Sequence, residues 1–170
     1  MKESLIKKGY YNSPIGILEI IESDGYIVEI NFVEDDICLE EFISEEIEKC
    51  KIELEEYFSG RRSEFSVKVD LVKGTEFQKK VWNALRDVPY GETVSYKEIA
   101  EKIGNPKAVR AVGGANNKNP IPIIIPCHRV VGTNGSLTGY GGGINNKISL
   151  LKLEKNDMSK FSVPTKGTAL

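Results

Sequence analysis

Cys127 is followed directly by His128, the chain's single histidine. A thiol beside an imidazole can do nucleophilic chemistry, because the base takes the proton and the thiolate attacks. The approach to this pair is unusual. From Asn119 to Cys127 the chain reads Asn-Pro-Ile-Pro-Ile-Ile-Ile-Pro-Cys, so Pro120, Pro122 and Pro126 bracket the run Ile123 to Ile125. Proline fixes φ and removes a backbone donor, which predicts a stiff, extended segment that cannot continue as helix. The isoleucines predict a buried anchor. Such a mount holds a thiol at one place in a pocket. By itself a Cys-His pair is more often structural, since free cysteine is among the most buried residue types.

Bulk properties narrow the setting. The chain has 170 residues, of which 40% are hydrophobic, enough for one domain or two small ones with a real core. No run is long enough to span a bilayer, and Met-Lys-Glu-Ser lacks the apolar region of a secretory signal, so a cytoplasmic location is expected. The three cysteines, Cys38, Cys50 and Cys127, have no CxxC spacing, which argues against both a disulfide framework and a four-ligand zinc site. No metal is expected. The formal net charge of −2 hides an asymmetry. Residues 1–70 hold 8 Lys and Arg against 18 Asp and Glu, and residues 71–170 hold 15 against 7. An acidic first part that avoids a polyanion and a basic second part that meets one is the reading this suggests.

The elements that must position the pair follow in order. Ile17 to Ile21 and Tyr26 to Phe32, joined through Asp24-Gly25, predict a β-meander with a tight hairpin. Residues 40–58 place Phe42 or Ile43, Ile47, Cys50, Leu54 and Tyr57 or Phe58 on one helix face, with Gly60 as the stop. Cys50 then belongs to a core, and Cys38 to a strand-to-helix connection. Ser66 to Leu71 reads as one more strand.

Lys73-Gly74 marks a boundary, and Thr75-Glu-Phe-Gln78 fits a capping box. The helix it opens buries Phe77, Val81, Ala84, Leu85 and Val88 and stops at Pro89-Tyr90-Gly91. Ser95 to Glu98 repeats the box. The next helix carries Ile99, Ala100 and Ile103, turns at Gly104-Asn105-Pro106, and a third begins at Lys107, which is a helix-turn-helix pattern. Ala108, Ala111, Gly113, Gly114 and Ala115 leave this third helix smooth enough for a nucleic-acid backbone to approach, with Arg110 standing out as a wedge for the minor groove. Leu137 to Gly143 is glycine-rich but lacks the Gly-Lys-Ser/Thr of a P-loop, and reads as a pocket wall on which Tyr140 offers a face for stacking. Ile144 to Glu154 is a final helix with Ile144, Ile148, Leu151 and Leu150 inward, and the tail after Lys155 reads as disordered.

Asn119-Pro-Ile-Pro followed by Pro-Cys-His-Arg-Val resembles the active-site segment of the methylated-DNA–protein-cysteine methyltransferases, the O6-alkylguanine-DNA alkyltransferases. The likeness is dense from about Thr75 to Glu154, taking in Ser95-Tyr96, Asn105-Pro-Lys107, Arg110 to Ala115 and Gly139 to Gly143. It implies an α+β fold: an N-terminal antiparallel sheet with a helix, ribonuclease-H-like in outline, over residues 1–72, then a helical C-terminal domain with a helix-turn-helix over 73–155 and a disordered tail over 156–170.

By that resemblance Cys127 accepts the alkyl group, His128 takes the thiol proton through a water, Glu154 orients the imidazole, Tyr96 protonates guanine N3, and Asn119 holds the segment before the cysteine. DNA contacts fall to Arg110, Ala111, Gly113, Gly114, Thr75 and Ser95. The extruded base lies among Tyr140, Gly141, Val130 and Pro122, because an alkyl carbon inside the stack is out of reach of a thiol. The implied partner is double-stranded DNA carrying O6-alkylguanine, with O4-methylthymine as a further candidate lesion. The protein is expected to act as a monomer, without cofactor or membrane, and each chain once. Two rivals stand beside this: a Cys-His-Glu hydrolase, which would turn over, and a lesion-binding relative without transfer, in which the cysteine is replaced.

Overall fold

The computed structural model describes residues 6–34 and 40–163. The chain divides into two compact units, Met1–Lys73 and Gly74–Leu170. Among the described residues no helix is long and apolar enough to cross a membrane.

The first unit is a three-stranded antiparallel meander, β1 (Ile6–Ser13), β2 (Gly16–Ser23) and β3 (Tyr26–Val33), with one helix, α1 (Glu45–Phe58). Asp24 and Gly25 turn β2 into β3 with φ of 53° and 88°, the paired positive values of a two-residue hairpin turn. Alternation sends Leu18 and Ile20 into the core. A register shift at Ile21/Glu22 then brings both Ile27 and Val28 inside. The helix starts later than its apolar spacing predicts. Ser44 caps it by accepting from the Ile47 amide, and Phe42 is exposed, bridging β1 instead of continuing the helix. Ile47, Cys50, Leu54 and Tyr57 are the face it buries. Burial pushes the Cys50 thiol far above its ordinary pKa, which leaves it inert. Cys38 lies outside the described residues. The expected strand at Ser66 to Leu71 is reduced to a single bridge, Ile27 to Val69, because the buried Glu53 carboxylate takes the Ser66 and Val67 amides that a ladder would use.

The second unit holds α2 (Glu76–Leu85), β4 (Val94–Ser95), α3 (Tyr96–Lys102), α4 (Val109–Asn117), a 3-10 turn at Cys127–Arg129, β5 (Val130–Val131) and α5 (Ile144–Leu153). Thr75 and Gln78 form the reciprocal capping box. Gly104, at φ 80°, makes the corner between α3 and α4, and α4 begins at Val109, after Pro106 and Lys107 have turned. The unit is helical with one exception that periodicity could not show. β4 and β5 pair in parallel, Val94 with Val130 and Ser95 with Val131. Two residues each are too few for a pattern, yet they tie the start of α3 to the residues just after Cys127–Arg129.

The segment after Lys155 departs from expectation. Residues 156–163 are built in: a 3-10 turn spans Met158–Lys160, Ser162 exchanges backbone hydrogen bonds with Gly135 and Leu137, and Met158 and Phe161 pack on Val131, Leu137 and Leu151. Two apolar side chains in a polar stretch carried that signal; residues 164–170 lie outside the described set. Gly135 has φ 83°, and a Cβ there would collide with the Lys160 carbonyl oxygen. Gly135→Ala is expected to cost about 2 kcal/mol or more and to loosen this strap. Denaturant melts would measure the first, and protease sensitivity after Lys155 the second.

Candidate active site

The segment before Cys127 is not extended as its prolines suggest: it turns at Ile123 and Ile124, where the Ile125 amide donates to the Ile121 carbonyl at 2.9 Å, and it is anchored from both sides. Ile121, Ile123 and Ile125 are buried, and Ile123 sits at φ 76°, a conformation β-branched residues rarely adopt and one held here by its surroundings. Asn119 ties the loop into a closed unit, accepting from the Ile121 amide at 3.0 Å and donating to the Ile125 carbonyl at 2.7 Å. From α4, the buried Asn116 donates to the Cys127 carbonyl at 3.2 Å. The thiol is therefore fixed at the mouth of a 3-10 turn, with only 3% of Cys127 exposed.

His128 is fully buried, and its Nε2 lies 2.7 Å from Glu154 Oε2. Glu154 is the C-cap of α5 and is gripped from its other side by Arg129, with Nε to Oε1 at 2.8 Å and Nη2 to Oε2 at 2.9 Å. This is a bidentate fork. Arg129 Nη1 donates to the Val88 carbonyl at 2.7 Å, and its guanidinium lies over the Tyr90 ring, so one side chain joins the end of α2, the 3-10 turn and the end of α5. Burial raises the Glu154 pKa, but the hydrogen bonds and charges of His128 and Arg129 outweigh it and hold the carboxyl well below its usual range. A carboxylate can only accept, so His128 Nε2 carries the hydrogen. Burial lowers the His128 pKa despite that carboxylate. The imidazole is thus neutral near pH 7, with Nδ1 as its lone-pair nitrogen, and Nδ1 has no protein partner among the described residues.

Cys127 itself needs such help. Burial pushes its thiol up to about 11, against the hydrogen bond from Asn119 and the charge of Lys147. Lys147, on α5, is fully buried and donates to the Val130 carbonyl at 2.7 Å and the Thr138 carbonyl at 2.9 Å. The Tyr96 hydroxyl donates to the same Thr138 carbonyl at 3.0 Å. Cys127, His128, Glu154, Tyr96 and Asn119 are thereby gathered in one unit around the 3-10 turn.

The residues read as a base pocket divide. Val130, Pro122 and Tyr140 are buried, whereas Gly141 is exposed, and the Val130 carbonyl is already engaged by Lys147. Of the residues read as a DNA surface, Arg110, Ala111, Gly114 and Thr75 are exposed and Gly113 is half-buried. Ser95 differs: it is 8% exposed, and its hydroxyl caps α3 by accepting from the Glu98 amide. Burial and that cap take it off the surface.

Three participants escaped the sequence reading. Arg129 stood inside the quoted motif with no role. Asn116 stood on the third helix with no role. Lys147 stood in the final helix with no role, although it falls three residues after Ile144 and four before Leu151, which places it on the apolar stripe.

Residues 6–71 match a family profile described as 6-O-methylguanine DNA methyltransferase, ribonuclease-like domain, and residues 76–156 match the DNA binding domain of the same description. A methylated-DNA–protein-cysteine methyltransferase of Methanosarcina acetivorans is 49% identical over 149 residues, covering 85% of this chain and 95% of that protein. One from Mycobacterium leprae is 58% identical over 106 residues, covering 62% of this chain, and the match spans 64% of that relative's length. The crystal structure of Mycobacterium tuberculosis OGT in complex with DNA superposes with a TM-score of 0.78 at 46% identity, covering 89% of this chain and 92% of that one.

Proposed function

The chain belongs to the methylated-DNA–protein-cysteine methyltransferase family, and from that premise we propose that it repairs double-stranded DNA by moving the alkyl group of O6-alkylguanine irreversibly onto Cys127 Sγ. The observation that carries this reading is the buried thiol set beside a neutral imidazole whose Nε2–H is locked on Glu154, leaving Nδ1 as the base. His128 takes the thiol proton through an intervening water as Sγ attacks the alkyl carbon. The carbon–O6 bond breaks, its electron pair stays on the guanine, and the Tyr96 hydroxyl protonates N3 as the base leaves. Asn119 keeps the nucleophile's segment in place, and Tyr140, Gly141, Val130 and Pro122 receive the extruded base. The protein works as a monomer in the cytoplasm on this reading.

The helix-turn-helix of α3 and α4 meets the DNA. A side chain at Gly114 would meet nothing, and one at Gly113 would only touch the Tyr96 ring at ordinary contact distance, so packing within the unit does not require glycine at either position. A surface kept bare for an approaching partner accounts for them. Arg110 fills the gap left by the extruded nucleotide.

Intact-mass measurement after mixing with an oligonucleotide containing O6-methylguanine tests the reaction. The peptide containing Cys127 should carry one added methyl. A modified Cys50 with Cys127 untouched would overturn the assignment. Arg110→Ala is expected to slow repair of duplex by about tenfold to a hundredfold, in line with an unstacking cost of a few kcal/mol, while repair of the free alkylated base is nearly unchanged. Equal loss on both substrates would remove the wedge role. Affinity for duplex should fall steeply with added salt as phosphate contacts release counterions.

A further inference from the structure

Lys147 has no part in the reaction proposed for Cys127, His128, Glu154 and Tyr96. A fully buried ammonium is costly unless something compensates for it. Two carbonyls, Val130 and Thr138, satisfy its hydrogen-bonding but not its charge. No carboxylate lies within ion-pair distance of it among the described residues. Glu154, the buried carboxylate of the site, is already matched by the Arg129 fork.

The groups that face Lys147 are Cys127 from the 3-10 turn, Tyr96 from α3, with its ring centroid 5.9 Å from Nζ, and His128. Tyr140, in the glycine-rich loop, faces the same thiol. None of these is an anion at rest near neutral pH. Two of them lose a proton in the proposed reaction, Cys127 to His128 and Tyr96 to the leaving guanine. The ammonium is fixed by its two carbonyls, of which the Thr138 carbonyl also accepts from the Tyr96 hydroxyl and the Val130 carbonyl lies three residues after Cys127.

We propose that Lys147 is the counter-charge for the Cys127 thiolate, a positioning residue that lowers the cost of ionising the nucleophile during transfer. The proposal rests on the reading of Cys127 as the acceptor. Its direction agrees with the mutual effect of the pair: Lys147 lowers the thiol pKa, and Cys127 raises that of the lysine, which burial has pushed down to about 8. A structural strut would act through its hydrogen bonds alone. A counter-charge acts through pH.

The decisive experiment follows alkylation of Cys127 by iodoacetamide in the full chain at about pH 7, where the buried lysine is charged, and at about pH 10, where it is not, resolved by peptide mass spectrometry, for wild type, Lys147→Met and Lys147→Arg. At pH 7 Lys147→Met should react at least tenfold more slowly than wild type, while Lys147→Arg stays within about threefold, and the difference should shrink at pH 10. Lys147→Gln keeps a donor without the charge and carries the same expectation as Lys147→Met, should the latter fail to fold. Neutral variants that react like wild type at pH 7, or the same slowing in Lys147→Arg, would overturn the proposal. Iodoacetamide needs no DNA. Wild-type protein that takes no methyl from alkylated DNA, yet whose alkylation at pH 7 slows with Lys147→Met, defeats the repair reading and leaves the counter-charge standing; methyl transfer with no such slowing does the reverse.

Discussion

Mixed with an excess of duplex containing O6-methylguanine, the protein is expected to repair one equivalent and stop. The thioether formed on Cys127 has no good leaving group. Cys50 offers no second step, because burial keeps its thiol protonated. Quantifying restored guanine against protein at several lesion ratios checks the stoichiometry, and Cys127→Ser should abolish transfer while lesion binding persists. Sustained turnover would refute the acceptor role and favour a hydrolase. The added methyl must also be placed on a cysteine that is only 3% exposed, and overfilling a packed interior costs about 1–3 kcal/mol, so the spent protein should melt below the fresh one.

The second large effect is expected at Glu154. Its carboxylate answers two buried donors at once, so Glu154→Gln leaves the Arg129 guanidinium charged and unpaired. Breaking a buried pair in this way costs about 3–5 kcal/mol, far above the loss of a surface ion pair. Transfer should slow as well, because the amide no longer dictates which imidazole nitrogen carries the hydrogen. Denaturant midpoints measured with Glu154→Gln, Arg129→Met and the double variant separate the terms: the double variant should be more stable than the sum of the two single losses implies. Additive losses would mean that the fork contributes little. Because Glu154 is held well below its usual range when folded, its contribution is complete above the ordinary carboxylate pKa and is lost as pH falls through the folded value. The wild-type protein should therefore lose more stability below about pH 4 than Glu154→Gln does.

Legibility in the sequence tracked how local the physics was. The Asp24-Gly25 turn and the Thr75 capping box are written in neighbouring residues, and both formed where local chemistry calls for them. Helix ends were less legible. Phe42 extends the apolar spacing of α1, but the Ser44 cap and a bridge to Lys8 decide where the helix begins. The Cys127-His128 pair announced itself through composition and three prolines. Arg129 and Lys147 did not, since a charged side chain is read as solvated unless its partners are known. Those partners are a carboxylate 25 residues on for Arg129 and two backbone carbonyls for Lys147. The β4–β5 pairing was illegible for a different reason: each strand is two residues long. Met158 and Phe161 were legible in principle, as apolar residues in a polar tail, once Leu137 offered a surface to cover.

Trp82 is the chain's only tryptophan, it is 2% exposed, and its indole Nε1–H donates to the Ala115 carbonyl at 2.7 Å. Ala115 precedes Asn116, whose amide holds the Cys127 carbonyl. A lone indole wired one residue away from the nucleophile's anchor makes the protein its own optical probe. Its emission comes from a single known site without any label, and a stopped-flow trace during alkylation would time the disturbance of α4 against the chemistry.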